Sequence, residues 1–197
     1  MDADGWDAAT DAKKMIAVAA GRASGRKFRL FLAACARDAR PGTTIRAAEQ
    51  AIALAERFAD GLVEARRVTD AYDQIRRGWA FTDLPYLLWP DLARSADAAV
   101  RMCGHADPAG SARRTAVLRE VLGNPFRPVV PDERWLTATA RGLARAAYDL
   151  AAFEKLPVLA DALEDAGCDS GELLAHLRAD GPHYRGCWAV DLVLGKS

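Results

Sequence analysis

The sequence predicts an all-α protein, an irregular bundle of about eight or nine short helices. Three observations carry this. Apolar residues recur at three- and four-residue spacing along most of the chain. Helix-starting Ser, Thr, Asp and Pro and helix-stopping Gly flank those stripes where they are needed. Ala is abundant and Arg far outnumbers Lys, and both Ala and Arg favour helix.

A first short helix is expected over Thr10 to Ala20. Ser24 then caps a second, which carries Phe28, Leu32 and Cys35 on one stripe and ends at Arg40-Pro41-Gly42. Thr44 caps a third, with Ile45, Ala48, Ile52, Ala55 and Ala59 at helical spacing and Gly61 as its terminator. A fourth spans Val63 to Arg77. Gly78 to Pro90 gathers Trp79, Phe81, Tyr86 and Trp89 around two prolines and reads as an irregular connection. Another helix follows Pro90 toward Cys103, and Asp107-Pro108 opens one that ends near Leu122.

Gly123 to Pro131 contains three prolines and excludes regular helix. It is the expected boundary between two contiguous helical lobes, 1–122 and 123–197. Beyond it, Trp135, Ala140, Leu143, Ala147 and Leu150 form an amphipathic stripe. Pro157 stands in the first turn of the next helix. Asp169-Ser170-Gly171-Glu172 reads as a capping box with Asp169 as the cap. The apolar run from Gly186 to Leu194 favours a helix ended by Gly195, although periodicity alone also admits a strand. Trp135, Leu143, Leu159, Leu163, Leu173, Leu177, Trp188 and Leu192 are expected to share one core.

At 197 residues, the chain can bury one core or two small ones. Hydrophobic residues make up 51% and charged residues 27%, a globular composition. The 27 basic and 27 acidic side chains cancel, which argues against a dedicated nucleic-acid binder. No stretch approaches the ~20 apolar residues of a membrane span. The acidic start Met1-Asp2-Ala3-Asp4 lacks the order of a signal peptide. A cytoplasmic protein is expected, with Cys35, Cys103, Cys168 and Cys187 as reduced thiols.

The motifs Gly123-Asn124-Pro125-Phe126-Arg127-Pro128, Leu156 to Glu164 with its Ala166-Gly167-Cys168 end, and His183-Tyr184-Arg185-Gly186-Cys187-Trp188 carry a resemblance. Over Leu118 to Lys196 the chain resembles a group of small Ala- and Arg-rich planctomycete proteins, rich in paralogues and without assigned activity. The likeness is weaker around Arg26 to Phe31 and Glu56 to Gly61. It implies a helical bacterial protein and supplies no catalytic residues.

Cys168, His176, His183 and Cys187 lie within twenty residues and are the donor types of tetrahedral zinc. Their spacing lacks a close Cys-x2-Cys pair, so the residues by themselves favour packed thiols and capping histidines over a bound ion. Asp161 and Asp165 stand one helical turn apart, as a shared cation would require, but a solvated face is the simpler reading. Arg22, Arg26, Lys27 and Arg29 form a basic cluster that suits phosphate, yet no aromatic residues interleave it. Asp191 interrupts an apolar run. Such a buried carboxylate needs a partner, for which Arg127 and Arg185 are the candidates, with Pro125 and Pro128 aiming Arg127 inward. The chain has no nucleophile elbow and no Gly-rich phosphate loop. The expectation is a non-enzymatic interaction or adaptor module for another protein, without a cofactor. The alternatives are a metal-assisted enzyme using the C-terminal Cys, His and Asp residues, and a weak nucleic-acid binder through Arg22 to Arg46.

Overall fold

A computed structural model describes residues 1–38, 46–78, 87–88, 91, 94–103 and 108–197. Among them are eleven α-helices and no strand, so the all-α expectation holds. The chain forms two compact units, Met1–Arg119 and Glu120–Ser197. The division lies in the last turn of a helix, three residues before the expected 122/123 boundary. Of the aromatic connection expected at Gly78 to Pro90, residues 79–86 and 89–90 lie outside the described residues, as do the turn at Arg40-Pro41-Gly42 and the caps expected at Thr44 and Asp107.

The first unit opens with α1 (Ala3–Ala8) and α2 (Ala12–Ala19). The Asp2 carboxylate caps α1 by accepting from Gly5 N at 2.9 Å, and Asp11 caps α2 through Lys14 N at 3.1 Å. Sequence periodicity gives no sign of α1, since six residues are too few for a stripe. The helix exists to bury Trp6, which is fully enclosed, and Arg119 fastens it by donating to Trp6 O at 2.9 Å. Next come α3 (Gly25–Asp38), started by Ser24 Oγ on Lys27 N at 3.3 Å, then α4 (Arg46–Ala59), α5 (Ala65–Gly78) and α6 (Ser95–Cys103). The α3 helix packs on α4 and α6 and buries Phe28, Leu30, Phe31 and Leu32. Helix α7 (Pro108–Leu122) ends in the second unit.

In the second unit Thr137 caps α8 (Ala138–Leu150), which packs against α9 (Leu156–Asp165) and α11 (Trp188–Leu194). Helix α10 (Gly171–Arg178) lies on α9. Its cap is Ser170, whose Oγ accepts from Leu173 N at 3.4 Å, one residue past the expected Asp169. Within the 186–194 segment, Trp188–Leu194 is helix, stopped by Gly195 at φ +65°. The expected core forms: Trp135, Leu159, Leu163, Leu173 and Leu177 are buried, and Leu143, Trp188 and Leu192 pack partly buried against them. Tyr148 joins that core with two cations over its ring, the Arg185 guanidinium at 4.9 Å and the Lys196 ammonium at 4.4 Å from the centroid.

Residues 123–132 contain no helix. The buried Asn124 organises this turn, its side-chain oxygen accepting from Phe126 N at 3.0 Å and its carbonyl from Arg127 N at 3.1 Å. Gly123 has φ +65°, and a Cβ placed there would stand 3.1 Å from Trp188 Cγ. Both the backbone angle and the nearby indole favour glycine.

Candidate metal centre

Four donors from four places in the second unit converge. The last turn of α7 supplies Glu120. Helix α10 supplies His176 on the turn before its end. The connection from α10 to α11 supplies His183, and Cys187 is the residue on which α11 begins. Gly186 at φ +94° lets the chain turn just before Cys187, whose N–H returns to Tyr184 O at 2.9 Å. One ligand atom from each residue falls within 4.8 Å of all the others.

The contacts inside the cluster are short. Glu120 Oε1 lies 3.1 Å from His183 Nδ1, and Oε2 lies 3.2 Å from His176 Nε2. The same His176 Nε2 is 3.2 Å from Cys187 Sγ. His183 Nε2 is 3.3 Å from Ala179 O. Cys187 is fully enclosed, Glu120 is buried and the histidines are half-buried, with the Trp188 ring 5.0 Å from that of His176.

This placement sets the protonation chemistry. Burial raises the Glu120 carboxyl, but hydrogen bonds and charge from His176 and His183 outweigh it, and the net shift is downward. Burial disfavours the His183 cation, yet the Glu120 hydrogen bond and charge more than reverse this and lift the ring above its ordinary 6.5. Both partners of the His183 ring, a carboxylate and a carbonyl, are acceptors. Without an ion at Nδ1, both ring nitrogens must therefore carry protons. Burial pushes the Cys187 thiol well above 9.0, and the Glu120 charge acts in the same direction.

Two chemistries can use a thiol, an imidazole and a carboxylate so close together. A cysteine hydrolase needs the carboxylate on one imidazole nitrogen and the thiol on the other, so that the base is oriented and free to take the proton. Here Glu120 and Cys187 meet the same nitrogen of His176, and the thiol is sealed from substrate. That arrangement is wrong for a triad and right for donors pointing at one centre. Tetrahedral zinc, with metal–ligand distances of about 2.0–2.3 Å, separates its donors by roughly 3.3–3.6 Å, so the contacts at 3.1–3.2 Å would open by a few tenths of an ångström while the wider donor pairs, which reach up to 4.8 Å, would close by about 1 Å. Bound as thiolate, carboxylate and two neutral imidazoles, the donors carry two negative charges, which a divalent ion cancels in a buried place. The bond from His183 Nε2 to Ala179 O is then the outer contact that fixes the tautomer and aims Nδ1 inward.

The structure brings together three of the four residues expected for zinc and replaces the fourth. Cys168 is not in the cluster. It packs in the core past the end of α9, where burial raises its thiol, and its N–H bonds to Leu163 O. Glu120 takes its place; a carboxylate 56 positions before His176 gives no local spacing signal. Asp161 is joined to Glu164 by Arg178, which reaches them at 2.7 and 2.6 Å, so the pairing on that face is with Glu164 and not Asp165. In the basic cluster Arg29 is fully buried and donates to the carbonyls of Leu87 and Asp91, while Arg26 pairs with Asp60 at 3.0 Å. Arg22 is exposed and donates to Val18 O, and Lys27 is half-buried. Asp191 is buried in the first turn of α11, as expected. Arg127, the other candidate partner, is an exposed residue, and Arg185 lies over Tyr148 with Nη2 3.4 Å from Asp149 O.

No family model, curated protein or solved structure matches the chain.

Proposed function

We propose that the protein is a non-enzymatic helical module whose C-terminal unit binds one divalent transition-metal ion, zinc being the best fit, through Glu120, His176, His183 and Cys187. The observation that carries this reading is the convergence of four donor atoms of zinc-binding type within 4.8 Å. A pure Glu–His ion pair would have no use for the Cys187 sulfur, which stands 3.2 Å from the His176 nitrogen. Four protein donors complete a tetrahedral shell and leave no open position for a substrate, which supports a binding role over metal-assisted catalysis. On this reading the module serves another protein as a binding partner.

The test is elemental analysis of the full chain purified without added metal or metal-affinity chromatography, beside Cys187→Ala and Glu120→Gln. About one zinc per chain is expected in the parent, with a large loss in both variants. Equal metal content in all three would sink the reading.

A further inference from the structure

We infer that the ion is exchanged between two folded states, so that the centre is a reversible, metal-responsive clasp and not a site on which the fold depends. This rests on the metal-binding reading above. Classical zinc fingers unfold without their ion because nothing else holds them. This unit differs in three respects.

First, its polar cluster is satisfied without metal. Both Glu120 oxygens meet an imidazole nitrogen, at 3.1 and 3.2 Å, and His183 Nε2 meets Ala179 O at 3.3 Å. Removing the ion therefore leaves no orphaned buried charge, the usual cause of collapse.

Second, the unit's core includes only one of the donors, Cys187, and is otherwise made by other residues. Leu156, Leu159, Leu163, Leu173 and Leu177 are fully enclosed. The caps of α8 and α10, from Thr137 and Ser170, are likewise made by residues outside the donor set.

Third, the donors divide unevenly along the chain. His176, His183 and Cys187 fall on twelve consecutive residues, and Glu120 alone comes from α7. Loading exchanges the Glu120–imidazole hydrogen bonds for bonds to the ion and so tightens the tie between the end of α7 and the 176–187 segment. Trp188 registers that change, because its indole stands between Gly123 and the His176 ring.

The experiment strips the full chain with a chelator and follows far-ultraviolet circular dichroism, peptide-resolved hydrogen exchange over 171–194 and tryptophan emission while zinc is returned in a competitive buffer. The stripped protein should keep its helices. Saturating zinc should raise the melting temperature by roughly 10 °C or more, and chelator should reverse it. Emission should change on loading in the parent but not in Trp188→Phe, which still takes up zinc. Cys187→Ala should stay helical and lose at least about a hundredfold in zinc affinity, beyond the usual effect of losing an outer contact. If the stripped chain loses helices α10 and α11, the clasp idea fails and the metal-binding reading stands. If the folded chain takes up no zinc, both fail.

Discussion

Gly123→Ala should destabilise the C-terminal unit by about 2–4 kcal/mol, and the structure supplies its own controls. An L-residue at φ +65° pays ~1–2 kcal/mol for the left-handed conformation. About 0.4–1 kcal/mol returns because alanine restricts the unfolded chain. Gly195 has the same φ of +65° and Gly167 has +86°, and a Cβ at either would meet nothing within 4 Å. Their alanine variants should thus show the backbone cost alone, roughly 1 kcal/mol. At Gly123 the new methyl would also stand 3.1 and 3.2 Å from Trp188 Cγ and Cδ2. The indole has the His176 ring 5.0 Å away, so it cannot swing aside without disturbing a donor, and overpacking of this kind adds ~1–3 kcal/mol. Urea titration of the full chain would measure the differences, and hydrogen exchange would confine them to residues 120–197. A Gly123→Ala cost within about half a kcal/mol of the two controls would show that the indole yields freely and that the wedge argument is wrong.

Leu159→Ala, at a fully buried position, should cost about 2–5 kcal/mol in a denaturant titration, and a loss under ~0.5 would make that residue peripheral. Ala151 caps α8 with φ 53°, the sole non-glycine residue at positive φ among those described. Ala151→Gly should raise stability by up to ~1 kcal/mol, and a lower melting temperature would count against that account. The buried Cys168 thiol, raised above its ordinary 9.0 mainly by desolvation, should resist iodoacetamide at pH 8 in the native chain and react on unfolding. Its folded value exceeds its unfolded one, so the thiol's contribution to stability is present below pH 9 and fades as pH climbs through the folded value. Rapid native labelling would contradict this.

What the sequence made legible was local. Ser24, Pro157, Gly61 and Gly195 punctuate helices within a turn of their own positions, and the structure uses each in that way. The leucine stripes of α9 and α10 likewise announce the face they bury. What stayed hidden depended on distance or on brevity. Nothing near Glu120 distinguishes it from any acid at a helix end; it becomes a donor because folding returns the 176–187 segment to it. Cys168 was the natural fourth thiol by proximity, and tertiary packing instead spent it on the core. Arg29 shows the same limit from the other side. In sequence it belongs to a basic cluster, yet α3 turns it inward onto backbone carbonyls, where burial lowers its pKa to about 10. Charge patterning could not reveal that, since it depends on which helix face meets α4 and α6.

Because Glu120 alone reaches the cluster from outside the 176–187 segment, the two parts of the site are separable by a single change. Were zinc bound, Glu120→Ala would leave only the two imidazoles and the thiol of the 176–187 segment, one donor short of a closed tetrahedral shell, which is why a chain without that carboxylate should hold little of the ion. The carboxylate at the end of α7 is thus the one donor whose arrival depends on a distant stretch of chain, and the closure of such a shell would depend on it.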